Sequence, residues 1–189
     1  MRPHSGMRPQ DIVVLLELAV RGYSPTSEQF PKGLRFVTSI KAKELSSTLQ
    51  ISEAEIGHSI RRSRFAGLLI GSGRLATGQV ARQALYEFLI YGIKYVFPVK
   101  PGHLTRGVPT AHSAPPLSDI IQATEQYVWP HEEGEVRGQA IEPLFRTVPD
   151  VVVQNEQLYQ LLALTDALRV GRSREINLAR EELKRLLRI

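Results

Sequence analysis

The stretch SIKAKELSSTLQISEAEIGHSIRRSRFAGLL, residues 39–69, decides the fold of this chain. Its apolar residues recur every three or four positions, which is the spacing of one face of an α-helix. Ser39 predicts the start of one helix and Ser52 the start of another, because a serine oxygen accepts a hydrogen bond from the first helical turn. Gln50 and Ile51 fall between the two. The pattern therefore predicts a helix, a tight turn and a second helix.

The second of these helices has an apolar and a polar face. Ile56 and Ile60 lie about one helical turn apart, so both are expected to face the core. Glu53 and Glu55 lie in the first turn, where the helix dipole favours negative charge, and Gly67 is expected to end the helix. The face opposite the two isoleucines is expected to carry Ser52, Glu55, Gly57, His58, Arg61 and Arg62.

This stretch resembles the helix-turn-helix of winged-helix transcription regulators of the MarR/GntR-like kind. The positions that match the family's pattern without a gap are Ile51, Ser52, Ile56, Ile60, Ala66, Gly67 and Leu68. Ser63 departs from the pattern, which prefers leucine there, so this end of the helix is expected to pack through Phe65 instead. The resemblance covers about a third of the chain, and it implies that the second helix enters the major groove of DNA, which is about as wide as one α-helix.

The resemblance and the polar face together predict the residues that contact DNA. The N-terminal polar residues of the second helix are expected to reach base edges, and its arginines to reach phosphates. In this family a hairpin wing follows the helix, with a basic residue at its tip; the sequence leaves a wing and a simple loop equally open. The predicted DNA-binding residues are Lys41, Lys43, Ser52, Glu55, Gly57, His58, Arg61, Arg62, Arg64 and Arg74. The competing interpretation is a basic helix face that contacts only water.

Positive charge is concentrated in the same part of the chain. The net charge is +5, and residues 1–80 carry 11 of the 24 Lys and Arg residues but only 6 of the 19 acidic ones. The remaining residues are balanced. This distribution is typical of a polyanion-binding domain joined to a neutral domain. With no cysteine and no segment of transmembrane length, the composition predicts a cytoplasmic, nucleoid-associated protein of the bacterial type with no disulfides.

The chain is expected to be mainly α-helical with a small β component, in two parts. Residues 1–76 are predicted to form a winged helix-turn-helix domain, whose first, bracing helix covers residues 8–21. Residues 77–189 are predicted to form a helical region for dimerisation or partner binding, with a central segment rich in proline and glycine. A helix is expected at residues 78–93.

The C-terminal end is predicted to be a helical hairpin. Leucines recur at helical spacing on either side of Gly171, in residues 155–169 and 173–189. The inner side of the hairpin is expected to have few polar residues. Such a hairpin must pack either on the helix at 78–93 or on a second copy of itself. The second arrangement makes a homodimer, which matches the two-fold symmetry of many DNA sites.

Residues 95–153 are the least regular part of the sequence. A short strand is predicted at residues 95–97. Residues 105–112 combine a cation, hydroxyl groups and an imidazole on one predicted loop. This loop is either a recognition loop for a small effector, a protein partner or nucleic acid, or a rigid connector. Trp129 is expected to be a packing anchor, and residues 136–138 a surface strand. His131 stands beside an acidic turn without the spacing of a helical metal site, so no metal is predicted.

No catalytic motif is present. The sequence has no glycine-rich phosphate loop, no serine-nucleophile elbow, no histidine pair at metal spacing and no thiol. We therefore expect a protein that is not an enzyme and needs no cofactor. The predicted function is a sequence-specific regulator, a repressor, that binds double-stranded DNA as a homodimer and reads the major groove with the helix at 52–66. The alternatives are an adaptor whose winged-helix-like domain binds protein, and an antitoxin-type regulator that holds a toxin.

Overall fold

A computed structural model describes residues 6–22, 41–71 and 78–189. The chain divides into two compact units, unit 1 (Met1–Ala84) and unit 2 (Leu85–Ile189). The division falls within a helix that begins at Arg82, whereas the sequence predicts a boundary at residue 76. The structure is mainly α-helical with a small β component, as predicted. Among the described helices, none has the length and apolar character needed to cross a membrane.

Unit 1 is built from three helices and two very short strands. These are α1 (Pro9–Arg21), α2 (Ala42–Leu49), α3 (Glu53–Phe65), β1 (Leu69–Ile70) and β2 (Gln79–Val80). α1 packs against α3 and β2, while α2 packs against α3. The strands pair antiparallel, with Leu69 opposite Val80. The predicted helices are confirmed, although α2 begins at Ala42, and its predicted cap, Ser39, lies outside the described residues.

The turn between α2 and α3 follows from two local features. Gln50 adopts a left-handed conformation with φ of 51°, which reverses the chain directly after α2. Ser52 then caps α3 as predicted, because its side-chain oxygen accepts a hydrogen bond from the Glu55 N–H at 3.3 Å. Leu49 and Ile56, on either side of the turn, are fully buried. The turn therefore holds the apolar faces of both helices toward one core.

The buried face of α3 is less apolar than the sequence predicts. Ile56, Ser59 and Ser63 are buried, whereas Ile60 is only half-buried. The expectation that Phe65 replaces the missing leucine is wrong, because its side chain is 79% exposed. Phe65 follows Ser63 by two positions, which carries it to the opposite side of a helix with 3.6 residues per turn.

α3 ends as predicted at a glycine. Gly67 has a φ of +75°, a conformation that a residue with a Cβ rarely adopts. Its N–H donates to the Arg64 carbonyl oxygen at 3.0 Å, and the Leu68 N–H donates to the Ser63 carbonyl oxygen at 2.9 Å. These two bonds form the Schellman motif that satisfies the last carbonyl groups of a helix.

The helix that links the two units begins four residues later and ends three residues later than predicted. It consists of α4 (Arg82–Glu87), a π-helical segment (Phe88–Gly92) and α5 (Ile93–Val96). The strand predicted at residues 95–97 is wrong. The helix continues because the Phe97 N–H still donates to the Ile93 carbonyl oxygen at 2.9 Å, and it stops there because Pro98 has no N–H to extend it.

Unit 2 contains a small closed barrel of three strands. The strands are β3 (Leu104–Pro109), β4 (Tyr127–Pro130) and β5 (Val136–Ala140). β3 pairs antiparallel with both others, and β4 pairs parallel with β5. The strand predicted at 136–138 is confirmed, but residues 105–112 are mostly strand rather than loop. Closure requires glycine at position 107, because a Cβ there would collide with the Trp129 carbonyl oxygen.

The rest of unit 2 is helical. It contains α6 (Val148–Val151), α7 (Glu156–Val170), α8 (Ser173–Leu187) and short 3₁₀ turns at Ala111–Ser113, Leu117–Asp119 and Val152–Gln154. The predicted C-terminal hairpin of α7 and α8 is confirmed. α7 also packs against α5 and the π-helical segment, which is the first of the two packing arrangements that the sequence allows.

The prediction that the inner side of the hairpin has few polar residues is wrong for α7. The buried Asp166 carboxylate accepts hydrogen bonds from Trp129 Nε1 at 2.6 Å, from Thr110 Oγ1 at 3.0 Å and from Arg169 at 2.6 Å. Arg169 also donates to the carbonyl oxygens of Phe97 and Glu142. Burial raises the pKa of Asp166, while the charge and hydrogen bond of Arg169 act in the opposite direction. Trp129 is thus an anchor, as predicted, through a polar bond as well as packing.

Candidate nucleic-acid interface

Arg62 fastens α3 to α1 through a buried ion pair. Its Nε and one terminal nitrogen donate to the two carboxylate oxygens of Asp11 at 2.7 and 2.6 Å. The Asp11 side chain is fully buried, and that of Arg62 is only 11% exposed. The expectation that Arg62 lies on the open face of α3 is therefore wrong. A bidentate guanidinium–carboxylate pair fixes orientation as well as distance, so Arg62 braces the helix.

Glu55 belongs to the same cluster. Its Oε1 accepts hydrogen bonds from Arg62 at 2.5 Å and from Gln10 at 3.1 Å. Burial raises the pKa of Glu55, but hydrogen bonds from Arg62 and Gln10, together with the positive charges of Arg62 and Arg8, lower it overall. The Glu55 carboxylate therefore faces α1, and the prediction that it lies on the open polar face of α3 is also wrong.

The lowered pKa of Glu55 predicts how the stability of unit 1 depends on pH. A carboxyl group whose pKa is lower in the folded state stabilises the fold above its ordinary pKa of 4.5, and this stabilisation is lost as the pH falls through the folded value. The Glu55→Gln variant should therefore be less stable than the parent at pH 7, and the difference should shrink below about pH 4.5. Urea unfolding of both proteins from pH 7 to pH 3, followed by amide hydrogen exchange in α1 and α3, measures this.

The control for this prediction is Glu133→Gln, which removes an exposed carboxylate of unit 2. A stability difference between the parent and Glu55→Gln that stays constant down to pH 3 would contradict the assigned role of the Glu55 charge.

The open face of α3 is a narrow ridge of four residues. Ala54, His58, Arg61 and Phe65 are exposed and recur every three or four positions, opposite the buried line of Ile56, Ser59 and Ser63. The His58 side chain is 51% exposed, and its Nδ1 lies 3.5 Å from a Glu55 oxygen. Within the described residues, Arg61 makes no ion pair. The ridge therefore presents one small residue, Ala54, near its start and hydrogen-bonding side chains at its middle.

Gly57 lies directly beside this ridge. A Cβ built at Gly57 would meet nothing within 4 Å except a terminal guanidinium nitrogen of Arg61, at 3.8 Å. The Arg61 side chain therefore lies back along α3 toward its N-terminus. Since Gly57 has no side chain, the guanidinium and the helix backbone can approach the same ligand surface closely.

The structure brings together part of the predicted DNA-binding set. Ser52, Gly57, His58 and Arg61 share the open side of α3, although the Ser52 oxygen is already used as the helix cap. Lys41 and Lys43 are exposed at the start of α2, and Arg64 is half-buried. Arg74 and the predicted wing tip lie outside the described residues.

Sequence reasoning missed the residues of α1 that hold α3. Asp11, Gln10 and Arg8 contribute the carboxylate, the amide and a second cation of the cluster around Arg62. One signal was available, because Asp11 lies four residues before Leu15 and therefore on a face that an amphipathic α1 buries. An acid on a buried face needs a cationic partner.

The described residues offer no metal centre. Within residues 6–22, 41–71 and 78–189, no three His, Cys, Asp or Glu side chains are placed to hold a metal ion. His131 instead pairs with Asp150, with Nε2 and Oδ1 2.9 Å apart. No family model, curated protein or solved structure among those compared with this chain matches it.

Proposed function

We propose that this protein is a sequence-specific regulator of transcription, a repressor, that binds double-stranded DNA as a homodimer. The observation that carries the proposal is the braced helix α3, whose open ridge presents Arg61 and His58 beside the small residues Ala54 and Gly57. A reading helix must protrude, must be held rigidly and must present donors to base edges. The Asp11–Arg62 pair supports the second requirement, and the exposure of Arg61 and His58 supports the third. No catalytic role is proposed.

The ridge suggests a role for each of its polar residues. Arg61, whose guanidinium lies close to Gly57, would donate two parallel hydrogen bonds to O6 and N7 of a guanine. His58 is one turn closer to the N-terminus and would donate to an adjacent base. Ala54 would contact a thymine methyl group. Lys41 and Lys43, on α2, would pair with phosphates and set the position of the helix without reading sequence.

The proposal is tested by selecting binding sites from a pool of random DNA duplexes. The parent protein should select one motif with two-fold symmetry that contains a guanine. Arg61→Ala should weaken binding to that motif about 10- to 100-fold, because a good bidentate contact contributes about 1–3 kcal/mol of base discrimination. The matched control is Arg137→Ala, which removes an exposed arginine of β5 in unit 2. Fluorescence anisotropy at two salt concentrations measures the affinities.

The same experiment separates base reading from simple charge attraction. If Arg61 reads guanine, Arg61→Lys should lose preference for the guanine while retaining the salt dependence of binding. If Arg61 contacts phosphate, Arg61→Ala should weaken binding to all sequences equally and reduce the salt dependence. A parent protein that selects no motif would contradict the proposed function itself.

One observation favours the protein-binding adaptor as a second candidate function. Phe65 at the end of the ridge and Ile70 on β1 are 79% and 63% exposed. Exposed large apolar side chains, aromatic ones above all, are typical of protein interfaces. In the adaptor, Phe65→Ser would abolish partner capture, whereas in the DNA-binding regulator Arg61→Ala would have the larger effect.

A further inference from the structure

Unit 2 contains a cleft of about 460 Å³ that the proposed function does not use. Its walls are formed by His112, residues 121–125, Tyr127 and the start of α8, where Arg172, Arg174 and Glu175 lie. His112 belongs to residues 105–112, the segment with the most unusual composition in the sequence. A pocket of this volume is within the range of small-molecule sites.

His112 leaves a buried acceptor unsatisfied in the wall of this cleft. Its side chain is only 5% exposed, and its Nε2 lies 2.9 Å from the Glu125 carbonyl oxygen. A carbonyl oxygen can only accept, so Nε2 carries a proton, and in the neutral imidazole Nδ1 is then an acceptor. Among the described residues, Nδ1 has no hydrogen-bond partner. A buried acceptor without a donor destabilises the fold, and a donor on a bound ligand would remove this cost.

The opposite wall carries two cations and one carboxylate. Arg172 and Arg174 are exposed at the beginning of α8, a helix of 15 residues whose N-terminal dipole also attracts anions. The Glu175 carboxylate accepts a hydrogen bond from the Arg172 backbone N–H at 2.7 Å. Among the described residues, neither arginine side chain forms an ion pair, so both guanidinium groups remain available to an anion at this end of the cleft.

Tyr127 stands between these two walls. Its ring makes an edge-to-face contact with the His112 ring, with centroids 4.6 Å apart. Burial raises the pKa of the Tyr127 phenol, and the negative charges of Glu175 and Glu125 raise it further, against the opposing charge of Arg172. The phenol therefore keeps its proton at neutral pH and can donate a hydrogen bond to an anion.

We propose that this cleft binds a small anionic metabolite in which a carboxylate or phosphate group stands beside an N–H or O–H donor. The anionic group pairs with Arg172 and Arg174, and the donor reaches Nδ1 of His112. The proposal does not depend on DNA binding by α3, because it rests only on residues of unit 2.

The test is an NMR titration of the full ¹⁵N-labelled chain with three probes at constant ionic strength: inorganic phosphate, lactate and acetate. Lactate carries a hydroxyl donor beside its carboxylate, and acetate does not. We expect saturable shifts for residues 121–125 and the first turn of α8 with lactate or phosphate, together with a shift of the His112 ring nitrogens. We expect acetate to bind at least tenfold more weakly than lactate if the site selects a carboxylate.

The variant Arg172→Gln/Arg174→Gln should weaken the binding of the preferred probe at least tenfold. Both side chains are exposed, so the fold should be unaffected, and amide spectra of the variant check this. Arg137→Gln, which removes an exposed arginine of β5, is the matched control and should bind like the parent. Absence of saturable shifts with both lactate and phosphate, or equal binding by the double variant, would overturn the site. Equal affinities for lactate and acetate without a change at His112 would overturn the role of that residue.

Discussion

Replacing Arg62 by alanine is expected to destabilise unit 1 by about 3–5 kcal/mol, as removal of one partner from a buried ion pair does. The physical reason is the carboxylate of Asp11, which has no exposure and would lose its only cationic partner among the described residues. Apart from apolar contacts, α1 and α3 would then be connected only through Glu55, by its hydrogen bond from Gln10 and its ion pair with Arg8, among the described residues. Amide hydrogen exchange of these two helices measures the change directly, because it reports the stability of each element separately.

A second variant distinguishes the buried charge from the loss of packing. Asp11→Asn combined with Arg62→Gln removes both charges while retaining two polar side chains of similar size. This double variant should recover at least half of the stability that Arg62→Ala loses, because the fully buried position 11 no longer carries a charge. Arg61→Ala, one residue away on the open face, should change stability by less than about 0.5 kcal/mol. Equal losses in Arg61→Ala and Arg62→Ala would contradict the bracing role.

Replacing Asp166 by leucine is expected to have the largest effect in unit 2, a loss of about 3–5 kcal/mol or failure to fold. The carboxylate is the shared acceptor for Trp129, Thr110 and Arg169. Without it, the Arg169 guanidinium stays buried with only carbonyl oxygens as partners, and the Trp129 N–H loses its acceptor. Trp129 is the single tryptophan of the chain, so its fluorescence during urea unfolding reports this core.

Thr110→Val is the matched control for the Asp166 network. It removes one neutral donor while retaining side-chain volume, so the expected loss is only about 1 kcal/mol. Asp166→Asn should fall between the two variants, because the amide retains one acceptor oxygen but loses the charge that faces Arg169. Comparable stability in Asp166→Leu and Thr110→Val would show that the buried network contributes little to unit 2.

Local features of the sequence predict the helices of this protein well. The cap at Ser52, the glycine at position 67 and the apolar spacing of α1, α3, α7 and α8 all act within a few residues, and the structure contains each of them. The two errors in element type have a common origin. Residues 95–97 and 105–112 are short and lack a clear period, so their structure depends on contacts with α7 and with the other barrel strands.

The candidate nucleic-acid interface is predictable only in part. Helical spacing identifies the open side of α3, on which Gly57, His58 and Arg61 lie. It also assigns Glu55 and Arg62 to that side, because the sequence within α3 contains no information about Asp11, which lies 51 residues before Arg62. Arg62 therefore looks equivalent to Arg61 in the sequence, although its side chain is paired with Asp11 of α1 on the opposite side of α3.

The sequence alone determined the mainly helical class, the caps and breaks of the helices and the concentration of positive charge in the first 80 residues. Only the tertiary structure decided which charged residues are available to a ligand. Arg61 and Arg62 differ in their partners, and so do the arginines of α8 and Arg169. Helical periodicity is a local property of the backbone, whereas burial and ion pairing depend on residues far away in the sequence. The cleft around His112 is likewise formed by residues from separate parts of the sequence, so no single segment predicts it.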